Sequence, residues 1–189
     1  MTSTRWLQIA ILLAALGILA VVTTTVVERL AGPRETTTPA PAPAPPTAHI
    51  TATLFYASPD GQSLRAVRRE VPFADGVVAQ GRQIVAAQLA AAPAGQMSTI
   101  PAGTHLLAFY VTERGDAFVD LSTEVSSAHP GGSLNELLTV YTIVDAVTAN
   151  LPAVQRVQLL VGGKEVDTIA GHIDVRRPLE RDDSLIKQP

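Results

Sequence analysis

With 189 residues, of which 47% are hydrophobic, the chain is long enough for one domain with a substantial core. Its formal net charge is −3 and its basic residues are scattered, which argues against a nucleic-acid partner. The absence of cysteine excludes disulfides, cysteine nucleophiles and zinc sites built on cysteine.

The first element is an uncharged run from Trp6 to Val27, bounded by Arg5 and Glu28. A helix over this run is about 33 Å long, enough to cross the roughly 30 Å hydrocarbon layer of a bilayer. We therefore predict a transmembrane anchor over residues 6–27; a buried core helix rarely stays uncharged for so long. The residues assigned to the anchor are Trp6, Leu7, Ile11, Leu12, Leu16, Ile18, Leu19, Val26 and Val27.

The run is longer than the roughly 7 to 15 apolar residues of a cleaved signal peptide, so an uncleaved signal anchor is predicted, with cleavage as the alternative. Basic residues are nearly balanced across the run, so charge does not decide the orientation. Residues 1–5 have nothing to fold and are easily left in the cytoplasm. The rest of the chain is therefore predicted to be extracytoplasmic.

Residues 28–48 are rich in proline, alanine and threonine and lack the large apolar side chains that would offset the entropy of ordering. Alternating Ala-Pro favours polyproline II, at roughly 3.1 Å per residue. We interpret this segment as a stalk between the membrane and a domain over residues 49–179. Residues 180–189 are predicted to be a flexible tail.

The domain shows two units of similar pattern. Alternating residues predict strands over 50–57 and 64–71, and helical spacing with Asp75 as a cap predicts a helix up to Pro93. Strands over 105–112 and 117–122 follow, and then a helix that opens with a capping box, Ser133 to Glu136. A fifth strand over 154–161 and an extended piece over 165–173 close the domain.

The order β-β-α-β-β-α-β with tight hairpins predicts an α+β fold, a mostly antiparallel or mixed sheet covered by two helices. A faint internal repeat supports this plan. Phe55-Tyr56 precedes Gly61 at the same spacing at which Phe109-Tyr110 precedes Gly115. Two aligned dipeptides are weak support for duplication.

Several short motifs together resemble the GerMN domain of sporulation and spore-germination proteins, over about residues 49–179. The residues that carry the resemblance, interpreted as structural, are Phe55, Tyr56, Pro101, Gly103, Asp120, Ser122, Gly162, Gly163, Gly171, His172, Asp174 and Pro178. The resemblance implies an envelope-associated module that works by binding, with no catalytic motif to transfer and no cofactor. Spore proteins of this family usually carry a longer or doubled module, whereas one copy is present here.

Acid–base chemistry has few candidate residues in this sequence. Asp120 and Glu124 lie close together at the end of a predicted strand, where we expect Asp120 and Ser122 to bond loop amides instead. His172 and Asp174 alternate on one face of an extended segment, but a metal site needs three or four ligands. We therefore predict no catalytic, cofactor or metal site.

Two hypotheses follow. The first is a membrane-anchored, non-catalytic module that binds a protein partner, itself or peptidoglycan. The alternative is a cell-wall enzyme that uses Asp120, Glu124, His172 and Asp174. An enzyme needs these groups to converge in a concave pocket, whereas a binding module leaves them separated, with an apolar or edge-strand surface exposed.

Overall fold

The computed structural model describes residues 48–187. The predicted N-terminal segment 1–5, the anchor 6–27 and nearly all of the linker 28–48 lie outside the described residues, and these three assignments stay predictions. Within residues 48–187, no helix is both long and apolar enough to cross a bilayer.

The domain begins with a two-stranded antiparallel hairpin, β1 (His49–Ala57) and β2 (Leu64–Pro72). The turn between them contains Gly61 at a φ of 66°, a left-handed conformation that glycine adopts without steric cost. Strand β1 is buried on both faces over its second half, with Leu54, Phe55 and Tyr56 fully enclosed. Helix α1 (Val77–Leu89) follows.

A second sheet is built around β3 (Leu106–Val111), β4 (Asp116–Leu121) and β5 (Arg156–Val161), in that spatial order. Strands β3 and β4 are antiparallel, whereas β4 and β5 are parallel. Two short antiparallel strands, β6 (Lys164–Glu165) and β7 (Leu179–Glu180), pair with β5. The α+β class and the mixed strand directions are as predicted, but the described strands form two sheets, since β1 and β2 do not join the second one.

Helix α2 (Glu124–Ser127) is a single turn, and helix α3 (Ser133–Asn150) is the longest described helix. Helix α3 is buried along most of its length and packs against β1, β5 and α1. Helix α1 lies on β3 at van der Waals distance. A Cβ added to Gly81 would lie 2.3 Å from Cε1 of Phe109, so only glycine allows this approach.

Both predicted helix caps are wrong. Helix α1 begins after Gly76 and helix α3 after Gly132, and neither has a side-chain cap. Asp75 therefore does not cap α1, and Ser133 is the first helical residue of α3. The carboxylate of Glu136 does not turn back to the helix start because it binds a distant loop, described below.

The C-terminal part of the domain differs from the prediction as well. The extended piece predicted over 165–173 is a strand only at its start, and the chain then runs irregularly to β7. The predicted flexible tail is wrong as far as Lys187, since a 3-10 helix (Asp183–Leu185) follows β7. The backbone N–H of Lys187 then donates to the carbonyl of Leu64 at 2.8 Å.

Candidate functional site

Asp120 and Ser122, at the carboxyl end of β4, hold two turns in place. One carboxylate oxygen of Asp120 accepts a hydrogen bond from the N–H of Gly163 at 2.8 Å, and the side chain is buried. The hydroxyl of Ser122 accepts from the N–H of His105 at 3.0 Å. Both residues therefore bond loop amides, as the sequence predicts.

Glu124 begins helix α2, beyond the end of β4. A hydrogen bond from Ser122, and then one from its own backbone N–H, lower the pKa of its carboxyl group. The carboxyl group of Glu124 therefore favours its ionised form, whereas a general acid must hold a proton to donate.

His172 and Asp174 face different partners although they alternate along one segment. The Nδ1 atom of His172 lies 3.1 Å from a carboxylate oxygen of Glu136. Asp174 is exposed and forms an ion pair with Arg176 at 2.6 Å. Hydrogen bonds from Arg176 lower the pKa of Asp174 well below its usual range.

Glu136 is the one fully buried carboxylate that receives several hydrogen bonds in the described part of the chain. It accepts from the N–H groups of Ile169, Ala170 and His172 at 2.9, 2.7 and 2.8 Å. Burial raises the pKa of Glu136, but hydrogen bonds from the backbone of Ala170, His172 and Ile173 and from the His172 side chain outweigh burial, so its pKa is lowered. Sequence reasoning assigned this residue to a helix cap, because nothing local reveals a loop more than thirty positions away.

Three of the four groups of the enzyme hypothesis have separate partners: Asp120 binds Gly163, His172 lies against Glu136, and Asp174 pairs with Arg176. Three of the cavities among residues 48–187 have volumes of about 480, 150 and 680 Å³. None of these three is lined by Asp120, Glu124, His172 or Asp174. The same residues contain no group of three or more acidic or histidine side chains arranged to hold a metal ion.

The exposed feature that stands out is the free edge of β3. This strand pairs only with β4, so one of its edges is open. Its sequence, LLAFYV, contains no charged residue. Leu107 and Tyr110 are 46% and 57% exposed, which is high for apolar side chains. An uncharged, apolar edge strand is a ready template for pairing with another chain.

The equivalent edge of β1 is closed by two amide side chains. The amide of Gln88 binds both the N–H and the C=O of Phe55, at 2.9 and 2.7 Å. The amide of Asn150 binds the N–H and the C=O of Thr53 in the same way, at 2.8 and 2.7 Å. No side chain among residues 48–187 makes such a bond to the backbone of β3.

The outer edge of β2 is bonded at Leu64 by the N–H of Lys187, and the rest of this edge is protected by charge. It presents Arg65, Arg68 and Glu70 as exposed residues, and charges of this kind discourage pairing. Of the three long strands that form an edge, β3 alone therefore combines an unbonded edge with an apolar sequence, within the described part of the chain.

Shallow grooves extend this edge on both sides of Arg82, which projects from α1. The cavity of about 480 Å³ lies between α1 and the start of β3, where Thr104 and His105 contribute polar atoms. The cavity of about 680 Å³ lies at the end of β3 and includes the acidic residues Asp75 and Glu113. Arg82 lines both grooves, so a basic side chain stands between the two ends of the edge.

These features define a small α+β module with a candidate binding surface along one sheet edge. The sequence profile of the Germane family, described as sporulation and spore germination, matches residues 53–167. The chain belongs to this family, and the predicted resemblance to the GerMN domain is confirmed. Among curated proteins, no sequence matches the chain significantly.

Several solved structures share the fold, among them three of proteins from Clostridium perfringens and Bacillus subtilis. A candidate lipoprotein from Clostridium perfringens is 23% identical, with a TM-score of 0.51; the match covers 72% of this chain and 90% of that one. The first GerMN domain of the sporulation protein GerM from Bacillus subtilis is 17% identical, with a TM-score of 0.53 and coverages of 71% and 98%.

The tandem GerMN domains of the same Bacillus subtilis protein match with 18% identity and a TM-score of 0.52. The match covers 71% of this chain but only 46% of the tandem structure. The chain therefore spans about half the length of that two-domain protein.

The predicted signature residues are placed mainly in the core and in turns. Phe55 and Tyr56 are fully buried in β1. The glycines Gly103, Gly162, Gly163 and Gly171 all have positive φ angles. Pro101 and Pro178 lie in the segments that precede β3 and β7.

Proposed function

We propose that the chain is a membrane-anchored, extracytoplasmic module that acts by binding a protein partner rather than by catalysis. The open apolar edge of β3 is the single observation that carries this proposal. Leu107 and Tyr110 leave apolar surface in water at the strand where backbone donors and acceptors remain available.

The placement of the acidic and imidazole groups supports a role without catalysis. Asp120 and His172 are engaged with the domain's own turns, and Asp174 is paired with an exposed arginine. A hydrolase of peptidoglycan would require a general acid and a base facing one bound substrate. We therefore favour the binding module over the cell-wall enzyme.

The anchor rests on the uncharged run from Trp6 to Val27, which is long enough to cross a bilayer. The stalk over residues 28–48 would hold the module at a distance from the membrane. One solved structure of this fold comes from a candidate lipoprotein, a class of membrane-attached protein, which is consistent with an envelope location. Protease accessibility of the domain in intact cells and in spheroplasts tests this orientation.

Photo-cross-linking in living cells tests the binding surface. A benzoylphenylalanine at position 110 of the full-length protein is expected to give a protein adduct after irradiation. The same probe at Leu134, which is 40% exposed on α3, is the matched control and is expected to give none. Absence of an adduct at 110, together with retention of the full chain by purified peptidoglycan, would show that the module binds the wall instead of a protein.

A further inference from the structure

We propose that the domain docks on the surface of the bilayer through an apolar patch at the end where the linker enters. The patch consists of Phe73, Val77 and Val78, which are 52%, 38% and 41% exposed. This inference rests on the membrane anchor of the proposed function, but it uses a different surface from the β3 edge. Docking gives the domain a second position, besides the raised position that the stalk would provide.

The patch lies where the described chain begins. The N–H of Phe73 donates to the carbonyl of Ala48 at 2.7 Å, and Pro72 stands opposite His49 in the register of β1 and β2. The predicted anchor and the linker precede this point in the sequence. Since the domain is tethered here, its Phe73 end meets the bilayer at a high effective concentration.

The fold fixes the backbone around Phe73 while the side chain stays half in water. The buried amide of Gln80 accepts a hydrogen bond from the N–H of Ala74 at 2.9 Å and donates one to the carbonyl of Pro72 at 3.2 Å. Gln80 lies on the first turn of α1, which also carries the two valines. These bonds therefore hold the residues of the patch together as one surface.

The hydrogen bonds of this segment also favour lipid as the occupant. Pro72 has no N–H, and the N–H groups of Phe73 and Ala74 are both bonded within the domain. Unpaired backbone donors are costly in a hydrocarbon phase, whereas a partner that adds a strand needs free donors for pairing. The Phe73 segment thus offers apolar surface without the free donors that a pairing strand would use.

The charges beside the patch do not favour an anionic surface. The two valines border the groove of about 680 Å³, in which the charged residues are Asp75, Arg82 and Glu113. One basic and two acidic side chains give no net attraction to anionic headgroups. The contact is therefore apolar, and it requires neither an anionic lipid nor low salt.

Met97 marks the opposite end of the same hairpin. The N–H of Ala57, the last residue of β1, donates to the carbonyl of Met97 at 2.9 Å. At the usual rise per residue, this nine-residue strand places its two ends about 27 Å apart. Met97 is 55% exposed, nearly the same as Phe73, so it is a matched control position.

Fluorescence of a single tryptophan tests the docking. Phe73→Trp is introduced into the full-length chain, and the only natural tryptophan is removed by Trp6→Phe. The protein is reconstituted in phosphatidylcholine vesicles, with and without lipids brominated near the headgroup end of the acyl chains. We expect the probe at position 73 to lose most of its emission in the brominated vesicles. Met97→Trp in the same background is expected to lose little.

A charge on the first turn of α1 tests the apolar character of the contact. Val77→Asp suits the start of a helix, where acidic side chains are stabilising, but it places a carboxylate in the patch. We expect it to remove most of the quenching at position 73. Leu134→Asp, on the first turn of α3 and at 40% exposure, is the matched control and should leave the quenching unchanged. Circular dichroism of both variants verifies that they are folded.

The outcomes separate this inference from the proposed function. If the chain stays with the vesicles in alkaline carbonate but quenching is absent at position 73, or equal at 73 and 97, the docking is wrong and the anchor stands. Quenching that requires anionic lipid overturns the apolar contact. Protection of position 73 from iodide without quenching by brominated lipid assigns the patch to a protein and also overturns the docking. If alkaline carbonate removes the chain from the vesicles, the anchor and the docking are both wrong.

Discussion

Replacing Glu136 with alanine removes the acceptor of three backbone hydrogen bonds in one step. The N–H groups of Ile169, Ala170 and His172 donate to its carboxylate, and the side chain is fully buried. A hydrogen bond to a charged group contributes about 1.5 to 3 kcal/mol, and two of these three bonds, those from Ala170 and His172, are only partly buried. We expect Glu136→Ala to lower the free energy of unfolding by about 3 to 5 kcal/mol, the usual cost of removing one partner from a buried charged network.

The sign of the pH dependence follows from the lowered pKa of Glu136. Because the folded-state pKa lies below the ordinary value, folding is stabilised at pH values above that ordinary value. The stabilisation is lost as the pH falls through the folded pKa. The natural chain should therefore lose stability on the acid side, and Glu136→Ala should lose less there.

Urea denaturation of the full chain in mild detergent, followed by far-ultraviolet circular dichroism, measures the loss. Hydrogen exchange measured on the peptide over residues 166–175 shows whether the loss of stability includes this loop. Asp174→Ala is the control in the same loop, since its exposed ion pair with Arg176 should leave the midpoint unchanged. A change below about 1 kcal/mol in Glu136→Ala, with unaltered exchange over residues 166–175, would refute the reasoning, since that is the value of one ordinary hydrogen bond.

Three further changes follow from the buried contacts. Burial raises the pKa of Asp145 to about 7, so the folded state holds a proton there that the unfolded state releases. The free energy of unfolding should therefore fall as the pH rises from about 4 to 7. Asp145→Asn should abolish this pH dependence, as measured by urea titrations across that range. Gln88→Ala should lower the free energy of unfolding by about 2 to 3 kcal/mol, because it leaves the N–H and C=O of Phe55 buried without partners. Gly81→Ala should lower the melting temperature despite its higher helix propensity, since the new Cβ overlaps the ring of Phe109, and the overlap costs about 1 to 3 kcal/mol.

Each of these predictions can be contradicted by a specific result. Gln83→Ala removes a half-buried amide of α1 and should cost little, so equal losses at 83 and 88 would contradict the role of Gln88. Phe109→Leu should reduce the cost of Gly81→Ala, and additive effects of the two changes would contradict the overlap. An unchanged pH slope in Asp145→Asn would assign the slope to another group.

Local patterns in the sequence were sufficient to place the long elements. Alternation of apolar residues marked β1 to β5, and helical spacing marked α1 and α3, within a few residues of their observed bounds. Gly61, in the short gap between the first two predicted strands, lies in the observed turn at a positive φ. These features depend on residues close together in the chain, where period and turn chemistry act directly.

The helix caps and the C-terminal segment show where local reasoning fails. Ser133 to Glu136 matches a capping box, but Glu136 gains more from the amides of a distant loop than from its own helix start. The tail after Glu180 is rich in charge, yet Ile186 packs on the core beside Leu64. A competition between a local partner and a remote one is settled only when the chain is folded.

The candidate binding surface along β3 also depends partly on features that the sequence shows and partly on features that only the tertiary structure shows. The sequence by itself determined that the chain has a run fit to cross a membrane, a proline-rich stretch and one α+β domain of a known family. It also showed the matching Phe-Tyr pairs of β1 and β3. Only the tertiary structure decided that Gln88 and Asn150 close the edge of β1 while the edge of β3 stays open, with Tyr110 exposed where Tyr56 is buried. The physical reason is that an edge is defined by which remote groups satisfy its backbone, and no local pattern records that choice.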